Sequence, residues 1–264
     1  MDTPTSLPAV FVGHGSPMNA LETNRWTSAW RAFGESIPRP RAILAVSAHW
    51  YVNATAVTAM ERPTTIHDFY GFPPELFALG YPAPGDPELA GRVIELLDPI
   101  WVGSDVDSWG IDHGTWSVLV HMFPDADIPV VQLSIDATKP AEYHVQVGAG
   151  LAPLRREGVL VLGSGNVVHN LRLVEWDQPE GATDWNVEFD TAATALMAER
   201  PGDIAELTAH RYHSLAAPTP DHLLPLFYVA GVAAADGVQA ETLVEGYAMG
   251  SLSMTGYVVP PVAG

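Results

Sequence analysis

A chain of 264 residues with 47% hydrophobic and 16% charged residues has the make-up of a globular protein, long enough for one large domain or two small ones. Its 31 acidic against 12 basic side chains give a formal charge of −19, a surface that repels phosphate backbones and anionic lipid and argues against nucleic-acid or membrane-surface partners. With no cysteine, disulfides and thiolate metal sites are ruled out, and His, Asp and Glu remain as the ligand pool.

In chain order, the first short apolar runs fall at 9–13, 42–47 and 55–60; several are rich in Val and Ile and end near Gly, Ser or Asn, as strands buried on both faces do. Residues 62–87 follow, rich in Pro, Gly and aromatics and without periodicity. A loop of that length in a compact domain is functional or disordered, and its aromatic content (with His67 among it) predicts an ordered flap against a site. A helix is predicted over 87–97, with Asp86 as N-cap and Leu89, Val93, Ile94 and Leu97 at helical spacing. Further helices are predicted over 115–122, 141–154, 186–199 and 221–234, further strands over 129–133 and 159–162, and closing strands over 240–245 and 253–259. Strands alternating with helices predict an α/β fold: a single domain with a mostly parallel central sheet, helices on both faces and antiparallel strands at an edge. No interdomain linker, repeat or heptad pattern interrupts residues 1–264. No run reaches the roughly 20 apolar residues of a membrane helix. No basic segment followed by an apolar core opens the chain, so no signal peptide is expected, and a cytoplasmic location fits the lack of cysteine.

Four histidines stand where strands or short loops give way to something else: His14, His49, His169 and His222. In open α/β sheets ligands bind beyond the carboxyl ends of the strands, and His14 directly follows the first predicted strand and His49 the second. His169 comes after the expected turn Gly163-Ser164-Gly165, and His222 opens the 221–234 helix. A lone histidine is ordinarily a hydrogen-bonded structural residue; four at comparable edges, in a chain without cysteine, raise a metal site to equal standing with that reading. His113, in a turn, reads equally as a substrate contact or a helix-capping loop residue, and Trp50 as a pocket wall. His121, His144, His210 and His213 read as surface or packing residues. No G-x-G-x-x-G, P-loop or G-x-S-x-G pattern is present, which disfavours nucleotide binding and serine hydrolysis.

Seven segments, in one order along nearly the whole chain, resemble the class III (LigB-type) extradiol ring-cleavage dioxygenases, and within them the 4,5-DOPA extradiol dioxygenase group. They are Phe11-Val-Gly-His-Gly-Ser-Pro-Met18, Ser47-Ala-His-Trp50, Thr65-Ile-His-Asp-Phe-Tyr-Gly-Phe-Pro73, Gly110-Ile-Asp-His-Gly-Thr-Trp116, Gly163-Ser-Gly-Asn-Val-Val-His-Asn170, Asp221-His-Leu-Leu-Pro225 and Ser253-Met-Thr-Gly-Tyr257. The resemblance implies His14, His49 and His222 as metal ligands, with His169 as the acid/base and an additional ligand when no substrate is present. His113 would assist at the substrate hydroxyl or the oxygen, and His67, Tyr70, Phe72, Trp50 and Tyr257 would contact substrate. The wider superfamily uses two histidines and a carboxylate, so His222 in the third position is a departure; three neutral ligands also make a good zinc site, with Asp221 next door as a substitute. The implied activity is O₂ insertion into a DOPA-like or other 4-substituted catechol, giving a ring-opened semialdehyde, with Fe(II) as the active ion and Zn(II) as an occupant of purified protein. The alternatives are a zinc-dependent hydrolase or isomerase on the same three histidines, and a non-catalytic metal-binding member, which an intact His169 and the aromatic flap argue against. Arg172 is the one cation near His169 in sequence that suits a substrate carboxylate. The implied partners are a small catechol and O₂, and the pattern does not distinguish a monomer from a dimer.

Overall fold

The structure, a computed structural model, describes residues 6–263; the outermost residues of the single domain read over 1–264 lie outside that range. The strands are β1 (Ala9–Gly13), β2 (Ala42–Val52), β3 (Ala56–Thr58), β4 (Thr64–Thr65), β5 (Gly103–Asp105), β6 (Gly110–Ile111), β7 (Val130–Asp136), β8 (Val159–Gly165), β9 (Glu241–Val244), β10 (Tyr247–Ala248), β11 (Leu252–Ser253) and β12 (Gly256–Val259). The helices are α1 (Arg25–Ser36), α2 (Pro74–Phe77), α3 (Pro87–Leu97), α4 (His113–Met122), α5 (Ala141–Leu151), α6 (Asp184–Glu199), α7 (His213–Ala216) and α8 (Leu224–Asp236).

Eight strands form one sheet in the order β5-β3-β7-β2-β8-β1-β12-β9. Its centre, β7-β2-β8-β1, is parallel throughout, and β12 and β9 close one side antiparallel. The alternation of side chains along each strand builds two cores. Ala9 and Phe11 of β1, with Leu44, Val46, Leu133 and Val161, face α3, α5, α6 and α8. Val10 and Val12, with Ile43, Ala45, Leu160 and Leu162, face α1 and α4. Both faces are therefore covered, which is why β1, β8 and the first half of β2 are apolar on both sides; β7 instead alternates, and buries Gln132, Ser134 and Asp136. Among the described residues no helix is long and apolar enough to cross a membrane.

Asp86 caps α3 as expected, accepting from the Leu89 backbone N–H at 2.9 Å. Several expectations need correction. α1 is absent from the reading above, although Trp26, Trp30 and Phe33 form a buried stripe at helical spacing and Asn24 and Thr27 cap it reciprocally. Gly163-Ser164-Gly165 is no turn but the end of β8, because each residue pairs with β1. β2 runs on to Val52, so His49 lies within the strand; the pairing with β7 shifts register between Val46 and Tyr51. α8 begins at Leu224, three residues later than expected, and His222 sits in the turn before it. α5 stops at Leu151 and gives way to a 3₁₀ turn that contains Pro153.

Candidate metal centre

The carboxyl ends of β1, β2 and β8 open at one edge of the sheet, and five histidines gather there. His14 follows β1, its backbone N–H donating to the Gly165 carbonyl at 2.9 Å. The chain turns away at Gly15 with φ +61°, in the left-handed region that only glycine adopts freely. His49 comes from β2 and His113 is the first residue of α4, where Asp112 is the N-cap. Gly114 lets α4 approach β2: a Cβ there would lie 2.7 Å from the His49 ring and 2.6 Å from the Ser47 hydroxyl. His169 is held by a backbone bond to the Ala216 carbonyl at 2.8 Å and a bridge to Leu252. The His222 carbonyl accepts from the Asn166 N–H at 2.8 Å.

The side chains converge from these anchors. His14 Nε2 and His49 Nε2 are 3.2 Å apart. The His222 ring centre is 5.3 Å from that of His14 and 5.2 Å from that of His49. His169 stacks face to face on His222, with ring centres 3.5 Å apart and planes 3° from parallel. His113 lies against His49 at 3.9 Å between ring centres. Ring nitrogens of His14, His49 and His113 lie within 4.8 Å of one another, so His113 stands closer to the first two than sequence reasoning had it.

Each of four rings has its Nδ1 engaged from behind. Ser164 donates its hydroxyl to the Gly114 carbonyl, so at 3.0 Å it accepts from His14 Nδ1–H. Asp68 accepts from His49 Nδ1 at 3.0 Å and from His113 Nδ1 at 2.7 Å. Asp221 accepts from His222 Nδ1. Engagement of Nδ1 leaves each Nε2 free as an acceptor, which is the tautomer a metal needs, and those of His14 and His49 face each other. Two bonds of about 2.0–2.1 Å from one ion place neighbouring donor nitrogens roughly 3.0–3.4 Å apart. The His14–His49 separation of 3.2 Å matches that span, so this pair fits two bonds to a divalent ion, and His113 is the further imidazole whose ring nitrogen reaches both. The negative charge that three neutral ligands lack stands behind them, on Asp68, Asp221 and the buried Asp112, which accepts from Ser47 and Gln132, both at 2.7 Å.

The protonation pattern follows from this charge arrangement. Burial, reinforced by the surrounding imidazoles, pushes His14 and His222 well below the ordinary histidine value. Burial also brings His169 down to about 4, with Asp221 opposing. His49 goes the other way: burial would lower it, but the Asp68 hydrogen bond and the nearby Asp112 carboxylate raise it. His113 stays low through burial and the charge of His49, although Asp68 opposes, because a proton on His49 spends the attraction of their shared carboxylate. Burial would raise Asp68, yet its two histidine partners hold it well below the carboxylate range.

The other expected substrate contacts are not drawn into this cluster. Tyr257 lies in the core, stacked on Phe11 at 6.1 Å and bonded through its hydroxyl to Thr194. Trp50 is buried against Trp109, at 5.7 Å between ring centres. His67 bonds to the Leu79 carbonyl at 2.8 Å and packs among flap aromatics, and Tyr70 is 92% exposed. Phe72 packs on Phe69, and Phe69 is the flap ring that meets the site, edge-on to His113 at 5.3 Å. The ordering of the flap comes from β4 pairing with β6 and from Trp116 Nε1 donating to the Ile66 carbonyl. Sequence reasoning assigned no role to Asp68 or Ser164, and counted Phe69 only among the aromatics of the flap. Asp68 was legible in part, as a carboxylate adjoining His67 in a flap expected to reach the site.

Comparison with known proteins follows the same lines. A family model described as the catalytic LigB subunit of aromatic ring-opening dioxygenase matches residues 9–260. A protein of Escherichia coli K12 named 4,5-DOPA dioxygenase extradiol is 52% identical over 255 residues, covering 95% of this chain and 93% of its own. A Beta vulgaris protein of the same name is 35% identical, covering 94% of each chain. The crystal structure of an uncharacterized protein from Escherichia coli K12 is similar with a TM-score of 0.83 and 46% identity, covering 96% of this chain and 100% of that one.

Proposed function

This chain belongs to the LigB family of aromatic ring-opening dioxygenases, and we propose that it cleaves a DOPA-like or other 4-substituted catechol with Fe(II) held by His14, His49 and His222. It is an extradiol ring-cleaving dioxygenase and metal-dependent; the same relationships favour ring opening over a zinc-dependent hydrolase or isomerase. One observation carries the ligand reading: four imidazoles have Nδ1 engaged from behind, which frees Nε2, and the Nε2 atoms of His14 and His49 stand at ligand spacing.

When bound, the ion supplies Lewis acidity toward the catechol hydroxyls and a one-electron route to O₂. The remaining work falls to the chain. His169, which burial holds below the ordinary histidine value and so keeps neutral, accepts the proton of a catechol hydroxyl and later returns it. Its stack on His222 holds that nitrogen beside the ligand set. His113 presents Nε2 toward substrate while Asp68 fixes its other edge. Phe69, backed by Phe72 and Phe77, excludes water from the His113 side. Arg172, two residues beyond Asn170, is the cation proposed for a substrate carboxylate. Catalysis in the cytoplasm accords with the absence of cysteine.

The test is anaerobic loading with Fe(II), then oxygen uptake with L-DOPA, caffeate and protocatechuate. Uptake with a yellow product is expected from at least one, and none from any would overturn the catechol reading. The closeness of His113 to His14 and His49 supports a second ligand set in which it replaces His222. Metal content separates the two: His222→Ala loses the ion and His113→Ala keeps it under the first set, and the reverse holds under the second.

A further inference from the structure

We infer that Asp68 is a positioning residue through which the flap holds the metal centre in its binding tautomer; this rests on the metal reading above. Three bonds converge on one carboxylate. Oδ2 takes the Nδ1 proton of His49 at 3.0 Å, and Oδ1 takes that of His113 at 2.7 Å. Oδ1 also accepts the His113 backbone N–H at 3.1 Å, one of the amides left free at the start of α4. Each of the other inward-facing rings has a partner of its own, a serine for His14 and the adjoining aspartate for His222. His49 and His113, from β2 and α4, share theirs.

The carboxylate is supplied by neither element. It comes from the 62–87 flap, which is fastened to the same helix start by the Thr64–Gly110 and Thr65–Ile111 pairings and by the Ile66 N–H to the Ile111 carbonyl at 2.8 Å. A carboxylate can accept from two imidazoles at once, whereas an amide offers only one accepting atom. Asp68→Asn therefore satisfies one ring and drives the other to the wrong tautomer or away from its place. Asp68→Ala frees both. A carboxylate on a ligand's outer nitrogen typically governs metal affinity about 10–100-fold, and here one residue serves two rings.

Two measurements test this. In ¹H–¹⁵N spectra at pH 8, with and without Zn(II), the Nδ1–H signals of His49 and His113, assigned by substitution, are expected to be sharp and protected from exchange. Asp68→Ala should abolish both, while the His222 signal persists. By competition against a chromophoric chelator, Zn(II) affinity should fall about 10–100-fold in Asp68→Ala and Asp68→Asn, with Asp68→Glu recovering most of it. Thermal unfolding monitored by circular dichroism establishes that each variant is folded, and Asp68→Glu decides if the alanine variant is not. Ring signals unchanged in a folded Asp68→Ala, or Zn(II) affinity within twofold of the native protein, would overturn the inference. A native protein with the two protected signals but no Zn(II) affinity would instead overturn the metal reading and leave the positioning of the rings intact.

Discussion

Two of the buried histidine sites among the described residues differ in what stands behind the rings. Just beyond β1 and within β2, His14 and His49 are flanked by Ser164 and Asp68, and their Nε2 atoms approach to 3.2 Å. Between α5 and α8, His144 is fully buried, bonds through Nδ1 to the Tyr228 hydroxyl at 2.9 Å, and has Nε2 buried without a partner. Burial brings His144 down to about 4, as it does His169. Burial and a depressed pKa are thus common to both sites and identify neither as functional. Convergence of several imidazoles, with anions behind them to offset a cation, distinguishes the first. His144 has a neutral phenol as its ring partner and packs two helices together.

Replacement of one ring at each site breaks the comparison most sharply. His14→Ala should abolish metal binding by elemental analysis and lower activity on the order of 10³-fold or more, since a bound ion is worth several kcal/mol to the transition state. His144→Phe should leave both metal content and turnover near native. A native metal content in His14→Ala would mean that the first site is no more a centre than the second.

Next in size is His169→Ala. It should lower kcat about 10²–10⁴-fold with metal content retained, which separates proton transfer from ligation within the first site. Parallel loss of metal and activity would make His169 a structural ligand instead.

Gly114→Ala sharpens the comparison through packing alone. Its Cβ would meet His49 Cδ2 at 2.7 Å and the Ser47 hydroxyl at 2.6 Å. Over-packing of that kind costs about 1–3 kcal/mol of stability, and the displaced His49 should weaken Zn(II) binding. Native stability and affinity in this variant would show that the contact between α4 and β2 relaxes freely.

The smallest effect belongs to His144 itself. Its folded pKa of about 4 lies below the ordinary 6.5, so the unfolded chain binds more protons between those values. Its contribution is therefore complete above pH 6.5 and is lost as pH falls toward 4. His144→Phe should make the decline of unfolding free energy over that window shallower by up to about one proton; an unchanged slope would mean that the native ring is protonated early.

Much of this was legible along the chain. β1 and α3 have the predicted bounds, because a doubly buried strand is a run of apolar residues and α3 has an aspartate cap and a regular stripe. His14 was legible for the same reason: it stands where a recognisable strand ends beside small residues. His49 was misplaced relative to its strand because polar residues mark a strand's end only when it leaves the core, and β2 continues past the site with a shifted register. Tyr257 and Tyr70 went opposite ways, one into the core and one to solvent, since an aromatic residue in a motif does not state which way its backbone turns it.

The chain by itself determined which chemistry was available: imidazoles and carboxylates without thiols, on short strands buried on both faces. Tertiary structure alone decided which of these meet. Strand pairing between β1 and β8 brings Ser164 to His14 across 150 positions, and a flap carboxylate reaches β2 and α4 together. Tautomer and ligand spacing are properties of pairs distant in sequence, fixed by the packing that brings them into hydrogen-bond range, so no local pattern encodes them.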